Sequence, residues 1–143
     1  MSYDENNVFA QILRGELPAH IVAEDDLSVA FMDAMPQSPG HTLVIPKEQA
    51  EDIFSISQVV LQHVILQTQR VASAVDQAFN PAGVMIVQLN RVGAGQSVFH
   101  LHFHIIPRWK GLDMKFHART FEDSNVLAEH AKRIREALDN LGN

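Results

Sequence analysis

The chain has 143 residues, with 17 acidic and 11 basic side chains, a formal charge of −6 and no cysteine. Its length predicts one domain, and 46% hydrophobic with 20% charged residues is ordinary globular composition, not that of a disordered chain. The missing cysteines exclude disulfides, thiolate zinc sites, iron–sulfur clusters and a cysteine nucleophile, and the acidic balance disfavours a nucleic-acid partner.

The start, Met1 to Asn7, is polar and acidic, unlike a signal peptide. No stretch approaches the ~20 apolar residues of a membrane helix, so a soluble, cytoplasmic protein with no membrane partner is expected. Asn6 is the predicted cap of a short helix that buries Val8, Phe9, Ile12 and Leu13 and stops at Gly15. Residues 20–24 and 27–33 read as two strands around an Asp25-Asp26 turn. Pro36 to Gly40 is a loop, and His41 to Ile45 a short strand stopped by Pro46. Residues 57–79 carry Val60, Val64, Val71, Val75 and Ala78 at helical spacing and predict the long central helix, ended by Asn80-Pro81-Ala82-Gly83. A strand over 84–90, a glycine-rich loop over 91–97 and a strand over 98–107 ended by Pro107 follow. Residues 111–121 are assigned to no element. Leu127, Ala131, Ile134, Leu138 and Leu141 step by 4, 3, 4 and 3 along a last helix that stops at Gly142. Strands and helices do not alternate regularly. That predicts an α+β domain over 1–143, with a mainly antiparallel sheet of about five strands.

The chain has 8 histidines, and three lie within Val98-Phe99-His100-Leu101-His102-Phe103-His104-Ile105-Ile106-Pro107. Strand side chains alternate, so His100, His102 and His104 share one face and Phe99, Leu101, Phe103 and Ile105 the other. Neighbouring histidines are then ~6.5 Å apart. Three readings stay open on these residues alone. The rings are satisfied structural histidines, or they ligate a metal, or one is a nucleophile or base beside substrate-binding neighbours. The outer two are ~13 Å apart, too far for one ion to take all three. Upstream lies Asn90-Arg91-Val92-Gly93-Ala94-Gly95-Gln96-Ser97, whose glycines let N–H groups converge on an anion and whose serine and amides add neutral donors. Such a cradle favours phosphoryl chemistry over a bare metal site, although a plain glycine turn fits the loop as well. His20, His63, His117 and His130 carry no assigned role, and surface positions are expected for His20, His117 and His130.

At His100-Leu101-His102-Phe103-His104-Ile105-Ile106 the chain resembles the histidine triad (HIT) family of nucleotide hydrolases and transferases. The resemblance continues through Asn90, Gly95-Gln96-Ser97, Gly40-His41-Thr42-Leu43-Val44-Ile45-Pro46, Ala30-Phe31-Met32-Asp33 and Val8-Phe9-Ala10-Gln11-Ile12. It covers roughly 6–110, fits the Hint-like branch and its bacterial members, and leaves 111–143 as a helical extension.

The resemblance implies a HIT-like fold and attack by His102 on the α-phosphate of a purine nucleoside phosphoramidate or related nucleotide. A nucleotidyl-histidine intermediate would then be released by water. It implies that His104 donates to a phosphate oxygen, His100 supports the geometry and His41 orients the row. Asn90, Gly95, Gln96 and Ser97 are implied around the phosphate and leaving group, and Asp33 on the ribose hydroxyls. Val8, Phe9, Ile12 and Phe31 are implied in the purine pocket. Read from composition alone, Asp33 is a turn-forming aspartate and the four apolar residues are core. A dinucleoside polyphosphate hydrolase and a non-catalytic nucleotide-binding protein are the alternatives. A homodimer with a continuous sheet is implied, through helix 57–79 and strand 84–90.

Bacterial relatives often carry a structural zinc on two cysteines and a later histidine together with a triad histidine. Those positions are here Asn7, Ala10 and Gln49, so no metal and no cofactor is expected, and packing alone is expected to hold the N-terminal region. His104 in place of glutamine disfavours the nucleotide-sugar transferase branch, and the lack of a zinc finger or basic tail disfavours DNA-end repair.

Overall fold

The computed structural model describes residues 2–110 and 120–142; His117 and all but the last two residues of 111–121 lie outside that range. Helix α1 spans Val8–Leu13. Its cap is Asn7, not Asn6: the Asn7 Oδ1 accepts from the Ala10 N–H at 2.9 Å. Asn6 sits one residue too early, and its own N–H turns back to Asp4 Oδ1.

Strands β1 (Ile21–Glu24) and β2 (Ser28–Met32) form the expected hairpin. Asp25 makes its turn, with one carboxylate oxygen accepting from the Leu27 and Ser28 N–H groups at 2.9 and 2.8 Å. Gly40 leads into β3 (Thr42–Pro46) at φ +89°, and a Cβ there would meet the Phe79 ring at 2.9 Å, so this turn requires glycine. Helix α2 (Gln58–Phe79) is capped by Ser57 and ended by Asn80 in the left-handed conformation. Strands β4 (Gly83–Val87) and β5 (Phe103–Arg108) precede helix α3 (Ser124–Leu141). Among the described residues, no helix is long and apolar enough to cross a membrane.

The five strands form one antiparallel sheet in the order β1-β2-β3-β5-β4, an α+β fold as expected. Its two faces follow from strand alternation. Ala30, Met32, Val44, Phe103 and Ile105 point to one side, where Val64, Val71 and Val75 of α2 and Leu127, Ile134 and Leu138 of α3 cover them. Each such fully buried aliphatic side chain contributes about 1.5–3 kcal/mol. Val29, Phe31, Leu43 and Ile45 point to the other side, where short α1 packs through Phe9, Ile12 and Leu13, with Ala19 and Val98 beside it. Room for a ligand is left on that thinly covered face.

Two strands differ from their predicted bounds. β4 ends at Val87, not at residue 90, because its last partner on β5 is His104, and Gln88 and Asn90 then bond each other's amides. β5 starts at Phe103, not at residue 98: the Leu101 N–H bonds to the Ala50 carbonyl at 2.8 Å, outside any ladder. Pro107 does not end β5. Its carbonyl accepts from Ser38 Oγ at 2.7 Å, and the nitrogen of a residue in an antiparallel strand faces the same side as its carbonyl. That side lies past the last β3 pair, Thr42 with Ile105, so a missing N–H leaves no ladder bond unmade.

Candidate active site

Four imidazoles gather on the α1 side of the sheet. His104 sits in β5 opposite Leu43, and His41 immediately precedes β3. His100 and His102 come from the irregular approach to β5, where Leu101 points away into a small cluster with Ala50 and Ile56. The predicted alternation therefore survives without a ladder. Ring centroids of His102 and His104 lie 4.9 Å apart, those of His41 and His104 5.2 Å, and Phe9 stands edge-on to His102 at 4.9 Å. All four are buried, His41 and His100 almost completely.

Backbone partners assign the protons. A carbonyl only accepts, so His102 donates Nδ1–H to the His100 carbonyl at 2.7 Å, and the lone pair of the neutral ring lies on Nε2. By the same rule His100 donates Nε2–H to the Pro46 carbonyl at 2.8 Å, and its Nδ1 accepts from the Tyr3 hydroxyl at 2.5 Å. An amide N–H only donates, so His41 Nδ1 accepts from the Gln37 N–H at 3.0 Å and its proton is on Nε2. That proton faces His104 Nδ1 at 3.0 Å, which leaves His104 with its own proton on Nε2. Burial pushes the His41 pKa well below the usual histidine value, reinforced by His104, Arg108 and His102. Burial also lowers His100, against the opposing pull of the Pro46 carbonyl. The result is a lone pair on His102 beside a donor on His104.

A cavity of about 630 Å³ opens over this pair. Val8, Phe9, Ile12 and Phe31 line it, together with Asp33, Ser97, His102 and His104. Such an apolar cleft with a few convergent polar groups is the usual form of a small-molecule site. Asp33 keeps one carboxylate oxygen on the Met35 N–H at 2.8 Å and the other 3.4 Å from His41 Nε2.

The glycine loop differs from the cradle its composition predicts. Asn90 Oδ1 accepts from the Ile53 N–H and from Gln88 Nε2, both at 2.8 Å. Gln96 is buried, accepts from the Arg91 N–H at 2.6 Å and donates to the Glu51 and Val98 carbonyls. Both amides brace the loop, and neither lines the cavity. Gly95 closes the short 3-10 turn Val92–Ala94 at φ 99°. Ser97 alone of the four lines the cavity.

Other residues line the site that the sequence did not assign to it. Leu17, His20 and Met35 line the cavity, and so do Phe121, Ser124 and Leu127 from the C-terminal segment. That segment is fastened by the Glu122 N–H to the Ala34 carbonyl and by His20 Nε2 to Ser124 Oγ, both 3.0 Å. His20 is thus a wall residue, not a bystander. His63 pairs with Asp25 at 2.8 Å, and His130 packs edge-on against Phe79.

Metal donors fit poorly. Among the described residues, Asp33, His41 and His104 place ligand atoms within 4.8 Å of one another. The Gln37 N–H, however, occupies the His41 Nδ1 lone pair, so a cation at Nε2 requires loss of a second ring proton. At the positions of the relatives' zinc, Asn7 caps α1 and donates to the Asp4 carbonyl, while Gln49 reaches Glu5. The Tyr3–His100 bond and these amide bonds correct one expectation: hydrogen bonds, and not packing alone, hold the N-terminal region.

A HIT domain model matches residues 14–111. Over 138 residues the chain is 35% identical to Protein hit of Bacillus subtilis, covering 91% of this chain and 95% of that one. A crystal structure of a Hit-like protein involved in cell-cycle regulation from Bartonella henselae, which contains an unknown ligand, superposes with a TM-score of 0.90 at 44% identity. It covers 96% of this chain and 99% of its own. A hypothetical histidine triad nucleotide-binding protein from Sulfolobus tokodaii gives a TM-score of 0.85 at 34% identity, over 93% and 92% of the two chains.

Proposed function

The chain belongs to the HIT domain family, and from that premise we propose that it is a nucleotidyl hydrolase acting at the α-phosphate of purine nucleoside phosphoramidates. The observation that carries the reading is the bond from His102 Nδ1 to the His100 carbonyl, which puts the nucleophilic lone pair on Nε2 beside the His104 donor.

His102 Nε2 attacks the α-phosphorus, a P–Nε2 bond forms, and the bond to the leaving amine breaks. The amine departs with a proton relayed through the Ser97 hydroxyl at the cavity wall, and the water that attacks in the second step returns a proton to that hydroxyl. His104 Nε2–H donates to a non-bridging oxygen, where charge develops. The adduct carries a positive charge on the ring, and the His100 carbonyl on Nδ1–H stabilises it. Water then attacks phosphorus, the P–Nε2 bond breaks, and the nucleoside monophosphate leaves with His102 restored. The Asp33 carboxylate suits the vicinal ribose hydroxyls, which both donate, and the apolar wall of Val8, Phe9, Ile12 and Phe31 suits the base.

The test is a turnover panel of adenosine and guanosine phosphoramidates and diadenosine polyphosphates, run on the wild type and on His102→Ala. Loss of turnover with retained binding of nucleoside monophosphate supports the reading. Faster cleavage of the polyphosphates reassigns the leaving group. Binding without turnover in the wild type leaves a nucleotide-binding protein instead.

A homodimer belongs to the same proposal. Ile65 and Leu66 of α2 and Ile86 of β4 are exposed and line one shallow groove, and β4 is an edge strand. An edge strand beside exposed aliphatic residues is a surface that a second copy can cover by continuing the sheet.

A further inference from the structure

The approach to β5 holds the acceptor for the nucleophile, yet no β ladder holds the approach. His100 lies outside the sheet, and its carbonyl is the group that orients His102. The His100 ring is instead pinned at both nitrogens, by the Pro46 carbonyl on one side and the Tyr3 hydroxyl on the other. Tyr3 and Phe9 also stand edge-on to that ring, at 5.7 and 6.5 Å. We propose that Tyr3 is a positioning residue for the histidine row: its hydroxyl donates to His100 Nδ1, fixes the ring and so the backbone of His100, and thereby holds His102 with its lone pair on Nε2.

Three observations support this role. Partial burial raises the Tyr3 pKa, so the hydroxyl keeps the proton it donates. The His100 ring is fully buried, so a Nδ1 without a donor would be an unsatisfied polar atom, which favours another ring orientation. The N-terminal segment is itself fixed, since Asn7 Nδ2 donates to the Asp4 carbonyl at 2.7 Å and Asn7 Oδ1 caps α1. Tyr3 therefore approaches His100 from an anchored chain.

The inference rests on the hydrolase reading for its rate effect but not for its structural effect, so the test has two readouts. Tyr3→Phe keeps the ring and removes the hydroxyl. In the full-length chain, kcat for an adenosine phosphoramidate is expected to fall about tenfold, the scale of one hydrogen bond, with KM little changed. Nitrogen-15 NMR of the imidazoles is expected to show a smaller fraction of the Nδ1–H tautomer at His102. A variant with wild-type kcat and wild-type tautomers overturns the proposal. So does a lowered melting temperature with both readouts unchanged, because Tyr3 is then only a strap. If the wild type turns over no phosphoramidate, the hydrolase reading fails, and the tautomer shift alone decides the role of Tyr3.

Discussion

His41 Nε2 lies 3.0 Å from His104 Nδ1, and the Gln37 N–H on the far nitrogen of His41 fixes the direction in which that bond donates. The ring of His41 is thus a spacer that carries a backbone donor's preference to the edge of the cavity. His104 gains a defined tautomer from it, with Nε2–H as a donor toward the cavity.

His41→Ala removes the spacer and leaves a buried acceptor on His104 without its donor. Stability is expected to fall by about 1–3 kcal/mol for the unsatisfied group, with a further loss for the cavity. Turnover is expected to fall more than nucleotide affinity, since His104 then divides between two tautomers. Denaturant titration measures the first effect and single-turnover kinetics the second. Unchanged turnover would show that His104 needs no partner to present its proton.

Stability should depend on pH through the same rings. His41 and His100 are held below the ordinary histidine pKa, mainly by burial, so the folded state binds fewer protons than the unfolded chain. Their contribution is full above the unfolded pKa near ~6.5 and is lost as pH falls from there toward the folded values. The slope approaches about 1.4 kcal/mol per pH unit for each ring. Melting temperatures taken from pH 8 to pH 5 should be level and then drop below about pH 6.5. A melting temperature that rises on acidification contradicts the assignment of neutral buried rings.

Phe121 lines the cavity together with the α1 residues, 72% exposed and fastened by its neighbour Glu122 to Ala34. An exposed aromatic ring at a nucleoside-sized cleft is a stacking platform for a base. Phe121→Ala should weaken binding of adenosine monophosphate about tenfold and leave kcat near wild type, because stacking holds the base alike in the ground and transition states. Titration calorimetry and steady-state kinetics separate the two. Equal affinity in the variant would place the base elsewhere.

The histidine row was legible because it depends on local alternation, which extended chain keeps with or without a partner strand, and the short α1 helix from its capping and apolar spacing. The start of β5 was not, since pairing depends on where β3 and β4 end. Asn90 and Gln96 read as phosphate donors because their amides sit in a glycine loop. Only the folded chain brings Ile53 to Asn90 and Glu51 to Gln96, across 37 and 45 residues. Tyr3 and Ser124 escaped for a simpler reason. Their partners, His100 and His20, are 97 and 104 residues away, and nothing periodic in the sequence spans that distance.

The exposed residues of α2 and β4 make the assembly testable. Ile86 is 47% exposed on the edge strand and Leu66 63% exposed on the helix above it. In a two-fold dimer each substitution acts twice. Ile86→Lys places a charge at the centre of that surface. Losing a buried isoleucine on both copies costs about 3–6 kcal/mol, enough to weaken association by at least a hundredfold. Sedimentation should find the wild type at twice the 16.0 kDa chain mass and the variant near the chain mass, with the fold intact by circular dichroism. A wild type that sediments as a single chain at micromolar concentration removes the dimer from the proposal. A variant that stays dimeric moves the interface away from β4.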